Sequence, residues 1–435
     1  MIQTLDLRGR HPSRAELADL VPRARVDVAV ASEAAAALIS DVRDRGEAAL
    51  REQASRFDRA EPDSIRVDPA RITAAVVALD PAVRAAIEEA IARVRVASQA
   101  QVPAAAVTAL GPGAEVIQRW QPVTRVGLYV PGGKAVYPSS VVMNVVPAQV
   151  AGVRSVVVAS PPQAEFNGEV HPVILGACGL LGVEEVYAMG GAGAIGAFAY
   201  GVADVALDPV DLITGPGNVY VAAAKRLVRG VVGIDSEAGP TEILIIADEH
   251  ANARLVAADL ISQAEHDEIA AAVLVTDSEE LADRVRAELA AQAPSTRHAE
   301  RVAEALAGPQ SAIVLVDDLP AAAAVSNAYG PEHLEIHTAN LGETLDSITN
   351  AGAIFLGADS PVSLGDYLAG SNHVLPTGGQ SRFSAGLGAS TFLRSQQIIR
   401  YTHEGLQEVA PLIRNLSDAE HLPAHGDAVD ARFAD

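Results

Sequence analysis

The sequence predicts an α/β fold with two parallel-sheet domains and an extended helical C-terminal arm. Three observations carry that prediction. Val/Ile/Leu runs of strand length alternate with amphipathic stretches of helix length from Tyr129 to Leu356. Aromatics are only 4% of a chain that is 49% hydrophobic, so its cores are built mainly from Ala, Val, Leu and Ile. A length of 435 residues exceeds what one simple core organises.

Residues 1–25 read as an N-terminal arm. From Ser32 to Phe57 apolar residues recur every three to four positions, as in a helix, and a second long helix begins at Pro81, an early position where proline is tolerated, and runs to about Gln101. Glu115–Trp120 and Arg125–Val130 read as strands, the second closed by Pro131-Gly132-Gly133. Next come strand Ser155–Ala159, a helix around Val170–Leu181, strand Glu185–Met189, helix Ala194–Gly201, strand Leu212–Thr214 and helix Tyr220–Arg229. This short-spaced alternation makes 129–238 one compact domain with a parallel sheet. A second unit repeats the logic with strands Glu242–Ala247, Ala271–Thr276, Ile313–Val316, Leu334–His337 and Ala353–Leu356. Helices Ala251–Ala264, Glu279–Gln292 and Leu345–Asn350 lie between them. Residues 26–128 and 239–385 are expected to form this discontinuous domain. After Gly357 the chain turns Gly/Ser/Pro-rich, and so long an irregular stretch points to function. Residues 386–435 read as a charged helical arm that reaches a partner subunit.

A formal net charge of −23 repels phosphate backbones and anionic lipid, so neither nucleic acid nor a membrane surface is an expected partner. The single cysteine, Cys178, allows no internal disulfide and no cysteine-based metal knuckle, and its apolar surroundings make it a small buried hydrophobe. The N-terminus lacks an apolar signal-peptide core, and no uncharged apolar run approaches the ~20 residues that span a bilayer. A cytoplasmic location is expected.

Several motifs could carry chemistry. Gly191-Ala-Gly193-Ala-Ile-Gly196 is a literal G-x-G-x-x-G between a strand and a helix, either a dinucleotide fingerprint or tight strand-to-helix packing. Asp211 follows at the spacing of a ribose-binding carboxylate, but it precedes its strand instead of ending it. The turns Tyr129–Gly133 and Gly215-Pro-Gly-Asn218 expose backbone amides that could receive a pyrophosphate or ribose. Gln263 and His266 share a helix face. Adjacent Glu332 and His333 project differently and could offer two bases to one cavity. Asp366 and His373 lie in the irregular stretch, and His421 and His425 are four apart near the end. No G-x-S-x-G elbow is present, and Ser139-Ser140 are expected in a Pro-flanked loop, so serine hydrolysis finds no support.

Taken together, the stretches GLYVPGG, AGPTEILIIAD, DLISQAEHD, GPEHLEI, AGAIFLG, SLGDYLAGSNHVLPT and LPAHGDAV resemble the histidinol dehydrogenase family, in order and spacing, over nearly the whole chain. The resemblance implies incomplete Rossmann-like, aldehyde-dehydrogenase-like domains in a domain-swapped homodimer with shared active sites. It implies NAD-dependent four-electron oxidation of L-histidinol to L-histidine through bound L-histidinal, the last step of histidine biosynthesis. Carried over by motif, one Zn²⁺ per subunit would be held by Gln263, His266, Asp366 and His425, the last from the other subunit. Its Pro-Ala-His setting favours His425 over His421. Substrate contacts would be Thr241, Gln263, His266, His333, Asp366, Glu420 and His425. His333 would take the hydroxyl proton, and Glu332 would activate water on the aldehyde, since no cysteine is suited to a thiohemiacetal. NAD contacts would be Tyr129, Asn218 and position 193. There the family has glutamine and this chain has Gly193, which predicts weaker NAD binding; the approach to Gly215 also departs from the family wording. A relative oxidising another amino or sulfonated alcohol is the alternative; Glu420 and the full ligand set favour histidinol. A metal-dependent scaffold that lost catalysis is a further one, against which Glu332 and His333 stand.

Overall fold

The computed structural model describes residues 2–24, 28–132, 135–237 and 239–434. Gly133, in one expected cofactor turn, and the expected domain limits at 25/26 and 238 lie outside the described residues. The chain divides into two units, Met1–Gln101 with Thr124–Phe392, and Val102–Val123 with Leu393–Asp435.

The first unit contains two fully parallel sheets. One has five strands in the spatial order Val186–Ala188, Ser155–Ser160, Arg125–Tyr129, Leu212–Thr214, Gly233–Ile234. The other has six, in the order Gln3–Asp6, Ala312–Leu315, Ala271–Thr276, Glu242–Ala247, His333–His337, Ala353–Leu356. Helices cover both faces of the six-stranded sheet, so the strands Ala271–Thr276 and Ala312–Leu315 are almost wholly apolar. In Glu242–Ala247, Ile243 and Ile245 enter one core with Val256 and Leu260 of the helix Ala253–Ala264, while Leu244 and Ile246 enter another with Val325 and Tyr329. In each sheet strand order reverses beside one central strand, Arg125–Tyr129 or Glu242–Ala247, and such switch points open crevices.

Several elements differ from the sequence reading. Residues expected as an arm contain the edge strand Gln3–Asp6 and the helix Arg14–Leu20, capped by a reciprocal Ser13/Glu16 box. The expected helix Ser32–Phe57 is three pieces, Val28–Arg45, Glu47–Gln53 and the π-turn Ala54–Asp58, broken at Gly46 with φ +56°. Ser139 and Ser140 start the helix Pro138–Ala151, because Pro138 occupies its first turn instead of flanking a loop. The helix expected at Leu345–Asn350 lies at Leu341–Asp346, where Asn340 caps it. The irregular stretch includes the short helix Val362–Tyr367.

The second unit is a three-stranded antiparallel sheet, Leu393–Tyr401, Ala114–Pro122 and Ala106–Gly111, with helices His403–Ala419 and Pro423–Asp430. Part of the region expected as helical is therefore a nine-residue strand. Gly113, at φ +70°, turns the hairpin, and a side chain there would meet Thr402 Oγ1 at 2.3 Å.

Candidate active site

Thr241 immediately precedes the central strand Glu242–Ala247, and its neighbour in the sheet begins at His333. Register pairs His333 with Ile243, which sets Glu332 and His333 against the Thr241–Glu242 main chain. Glu332 Oε2 accepts from Thr241 Oγ1 at 2.7 Å and from the Glu242 amide at 2.9 Å. His333 Nδ1 lies 3.1 Å from the Glu242 carbonyl, so it carries the proton and leaves Nε2 as the free base. Both side chains are buried, and Glu332 Oε2 is 3.6 Å from His333 Nδ1. Burial pushes the Glu332 carboxyl up to about 7, although the Thr241 and Glu242 hydrogen bonds favour its charged form. Burial likewise holds the His333 imidazole below its usual value, against the pull of Asp366. Glycine at 352 is what lets this strand end close up, since a Cβ there would meet Glu332 O at 2.6 Å.

The helix Ala253–Ala264 brings Gln263 to the same point. Its Nε2 donates to Thr241 Oγ1 at 2.8 Å. Because Thr241 gives its own proton to Glu332, the amide can only present nitrogen there. That fixes the other end: among the described residues, Gln263 Oε1 is buried without a partner. His266 sits on the turn after the helix with Nδ1 3.3 Å from the carbonyls of Ser262 and Gln263, which directs the Nε2 lone pair outward. Asp366 lies on the short helix Val362–Tyr367, its carbonyl bonded to His373, and is near enough for its charge to act on Glu332, His333 and His373. A carboxamide oxygen, an imidazole nitrogen and a carboxylate are donor types suited to a zinc-type cation. His373 spends both nitrogens, Nδ1 on the Asp366 carbonyl and Nε2 on Ser140 Oγ, each at 3.0 Å. That contact joins the site to the helix that follows the Tyr129 loop.

The carboxyl end of the five-stranded sheet gathers the expected cofactor residues. The Tyr129 hydroxyl accepts the Gly191 amide at 3.1 Å, and burial pushes its proton affinity up to about 12. Asn218 caps the helix Val219–Val228 through Oδ1 at 3.0 and 3.2 Å, leaving its amide nitrogen free of that duty. Gly215 at φ +112° lies so close that a Cβ would meet the Tyr129 carbonyl oxygen at 2.0 Å. Both its peptide groups are held, the amide by Asp235 at 2.8 Å and the carbonyl by Lys225 at 3.1 Å, and Lys225 and Asp235 pair with each other in the interior.

The glycine motif resolves largely into packing. A Cβ at Gly193 would meet Gln53 Oε1 at 2.1 Å, and one at Gly196 would meet Ile39 Cα at 3.2 Å. Asp211 binds the amides of Thr124 and Arg125 at 2.9 and 3.0 Å, at the amino ends of the strands and away from the Tyr129 end, so it is no ribose partner. Cys178 is fully buried with its thiol pushed up to about 12 by burial, hence inert. Glu420, His421 and His425 belong to the second unit and are exposed; Glu420 ends one helix, His421 turns at φ +58°, and His425 lies in the first turn of Pro423–Asp430.

Two groups escaped the sequence reading. Asp58 ends the π-turn with its carboxyl raised to about 6 by burial, and its Oδ2 would lie 3.3 Å from a Cβ on Gly190, beside the Gly191 amide. Asp259, Glu335 and His337 hold potential ligand atoms within 4.8 Å of one another, a possible cation-binding group that includes none of the expected ligands. Its atoms are partnered internally: Glu335 accepts from His337 at 3.2 Å and from the Val362 amide at 2.9 Å, and burial beside Glu335 raises the Asp259 carboxyl. Strand alternation was the available signal, since it puts 333, 335 and 337 on one face.

The elements so assembled are those of an α/β oxidoreductase with a base pair beside a polar donor set. A family profile described as histidinol dehydrogenase matches residues 21–433. The chain is 68% identical over 432 residues to the histidinol dehydrogenase of Leifsonia xyli subsp. xyli, covering 99% of each. It is 58% identical to that of Thermobifida fusca, covering 100% of this chain and 98% of the other. The crystal structure of histidinol dehydrogenase from Elizabethkingia anophelis superposes with a TM-score of 0.91 at 33% identity, covering 99% of this chain and 98% of that one. The chain belongs to the histidinol dehydrogenase family.

Proposed function

We propose that this chain oxidises L-histidinol to L-histidine with NAD⁺ in two successive steps, as a cytoplasmic zinc-dependent homodimer. The observation that carries the reading is the Gln263–Thr241–Glu332 hydrogen-bond chain, which leaves one buried carboxamide oxygen unpaired next to two bases. Zinc held by Gln263 Oε1, His266 and Asp366, with His425 of the partner subunit, would orient the amino alcohol through its nitrogens, while NAD⁺ near Tyr129 and Asn218 would supply the oxidising power. His333, neutral and fixed through Nδ1, takes the hydroxyl proton on Nε2 as the alcohol carbon is oxidised. Glu332, its Oε2 occupied, uses Oε1 to take a proton from the water that adds to the aldehyde. Burial around both residues keeps bulk water from the intermediate.

The second unit supports the shared dimer. Ile399, Leu412 and Leu416 there are 71%, 62% and 64% exposed, an apolar surface that a second copy would cover. Among the described residues no helix is long and apolar enough to cross a membrane.

The deciding experiment is the NADH formed per limiting L-histidinol by purified zinc-loaded protein. Two equivalents, abolished by a chelator, are expected. One equivalent would mean that the aldehyde escapes and that Glu332 has another role. None, with turnover of another amino or sulfonated alcohol, would move the chain to a different substrate.

A further inference from the structure

Glu242 is a hub. Its amide binds Glu332 Oε2 and its carbonyl binds His333 Nδ1, so the main chain of one residue holds both bases. Its side chain is 2% exposed, and a carboxylate buried so deeply needs a partner. That partner is Arg23, more than 200 residues earlier. Arg23 Nε donates to Glu242 Oε2 at 2.9 Å and Nη2 to Oε1 at 3.1 Å, a two-pronged grip that only a planar guanidinium makes.

The same Nη2 donates to the Tyr329 carbonyl at 2.6 Å, and the guanidinium lies 3.8 Å over the Tyr329 ring. The Tyr329 hydroxyl closes the circle on Glu242 Oε2 at 3.2 Å. Tyr329 ends the helix Leu319–Tyr329, three residues before Glu332. One arginine thus fastens the start of the central strand and the segment that delivers Glu332 and His333. The surroundings leave it room: Gly379 is at φ +76°, and a Cβ there would meet Arg23 Nη1 at 2.6 Å.

We infer that Arg23 is a positioning residue for the Glu332/His333 pair, acting through Glu242 and Tyr329 without touching substrate. This rests on the reading of Glu332 and His333 as the bases. Losing the fork lets the strand start and the Tyr329–Glu332 segment slide apart, and small displacements of reacting groups are costly.

The test compares Arg23→Gln and Arg23→Lys with wild type and Glu332→Gln, as purified zinc-loaded protein with saturating NAD⁺. Arg23→Gln is expected to lower kcat by about tenfold or more, with KM for L-histidinol within about twofold and zinc content near wild type, and to lower the unfolding temperature because Glu242 loses its cation. Arg23→Lys keeps the charge that Glu242 needs but not the fork, so it is expected to fold and to lie between the two. A folded Arg23→Gln with wild-type kcat overturns the inference. So does a wild-type kcat in Arg23→Lys, which decides the matter if Arg23→Gln does not fold, and so does a parallel loss of kcat and zinc in both. If Glu332→Gln itself turns over normally, the reading of the bases has failed and the inference falls with it. A fall in Glu332→Gln without one in the Arg23 variants sinks the inference alone.

Discussion

At the scale of single residues, the site turns on which atoms are already committed. Gln263 offers one oxygen because Thr241 has taken its nitrogen. Gln263→Leu should therefore fold but lose most of its zinc, measured by metal analysis after dialysis; retention of a full equivalent would remove Gln263 from the ligand set. Glu332 gives a pH prediction with a definite sign. Its carboxyl is raised to about 7, and the base must be ionised, so kcat should climb through about pH 7, where His333, held below its usual value, is already neutral. Thr241→Ala removes a hydrogen bond that favours the ionised form, so the acid limb should move to higher pH. A limb unmoved by that change would assign it to another group. For stability the sign is opposite: between an unfolded value of about 4.3 and about 7 the folded protein binds the extra proton, so this residue's contribution falls as pH rises through that window. Gly193 illustrates what a sequence alone conceals. Its lack of a side chain suggested a lost cofactor contact, but the space belongs to the Gln53 carboxamide. Gly193→Gln must push aside the end of the Gln53 side chain, whose Nε2 donates to the Leu38 carbonyl, so a loss of about 1 kcal/mol of stability is expected. It should not lower KM for NAD⁺ unless Gln53 is shortened too; a lower KM in the single variant would show that the space is free.

At the scale of elements, legibility followed burial. The strands Glu242–Ala247 and Ala271–Thr276 were readable to the residue because both their faces are covered, which forces a continuous apolar run. Gln3–Asp6 and Leu393–Tyr401 were not, because neither shows a clean period and each owes its conformation to a partner about 300 residues away in sequence. The candidate site divides the same way. Residues that act through side chains stood out as polar groups in apolar surroundings, whereas Glu242, which holds both bases by its peptide groups, gave no such mark. The loop Gly215–Asn218 carries its own prediction. Lys225 is 1% exposed and spent on Asp235 and the Gly215 carbonyl, so it cannot bind phosphate. Lys225→Met leaves Asp235 buried without its cation, held only by the Gly215 and Ser236 amides, on the order of 3 kcal/mol destabilising. Its effect on KM for NAD⁺ should exceed that on KM for L-histidinol, and the reverse ranking would detach the loop from the cofactor.

At the scale of the whole molecule, the second unit has too little interior of its own to cover what it exposes. Leu412 and Leu416 lie one helical turn apart on His403–Ala419 and are both largely exposed. Leu412→Asp with Leu416→Asp should convert a dimer to a monomer in sedimentation and abolish turnover with it, because His425 would no longer meet its metal. A monomeric variant with full activity would mean that each chain completes its own site. The negative charge of the molecule fits a partner that is a second copy joined through apolar contact and not a polyanion.

Contacts that join residues this distant in sequence bear on how the chain folds. The strand Gln3–Asp6 waits for Ala312–Leu315, and the Arg23 bond to Tyr329 spans 306 residues. Residues 3–23 thus find their place only when residues 312–329 are present, and a chain lacking either segment cannot fasten the Glu332/His333 pair. Such long-range closures slow folding. In refolding experiments the return of turnover should therefore lag behind the return of helix signal, with residues 3–23 docking late and switching the enzyme on.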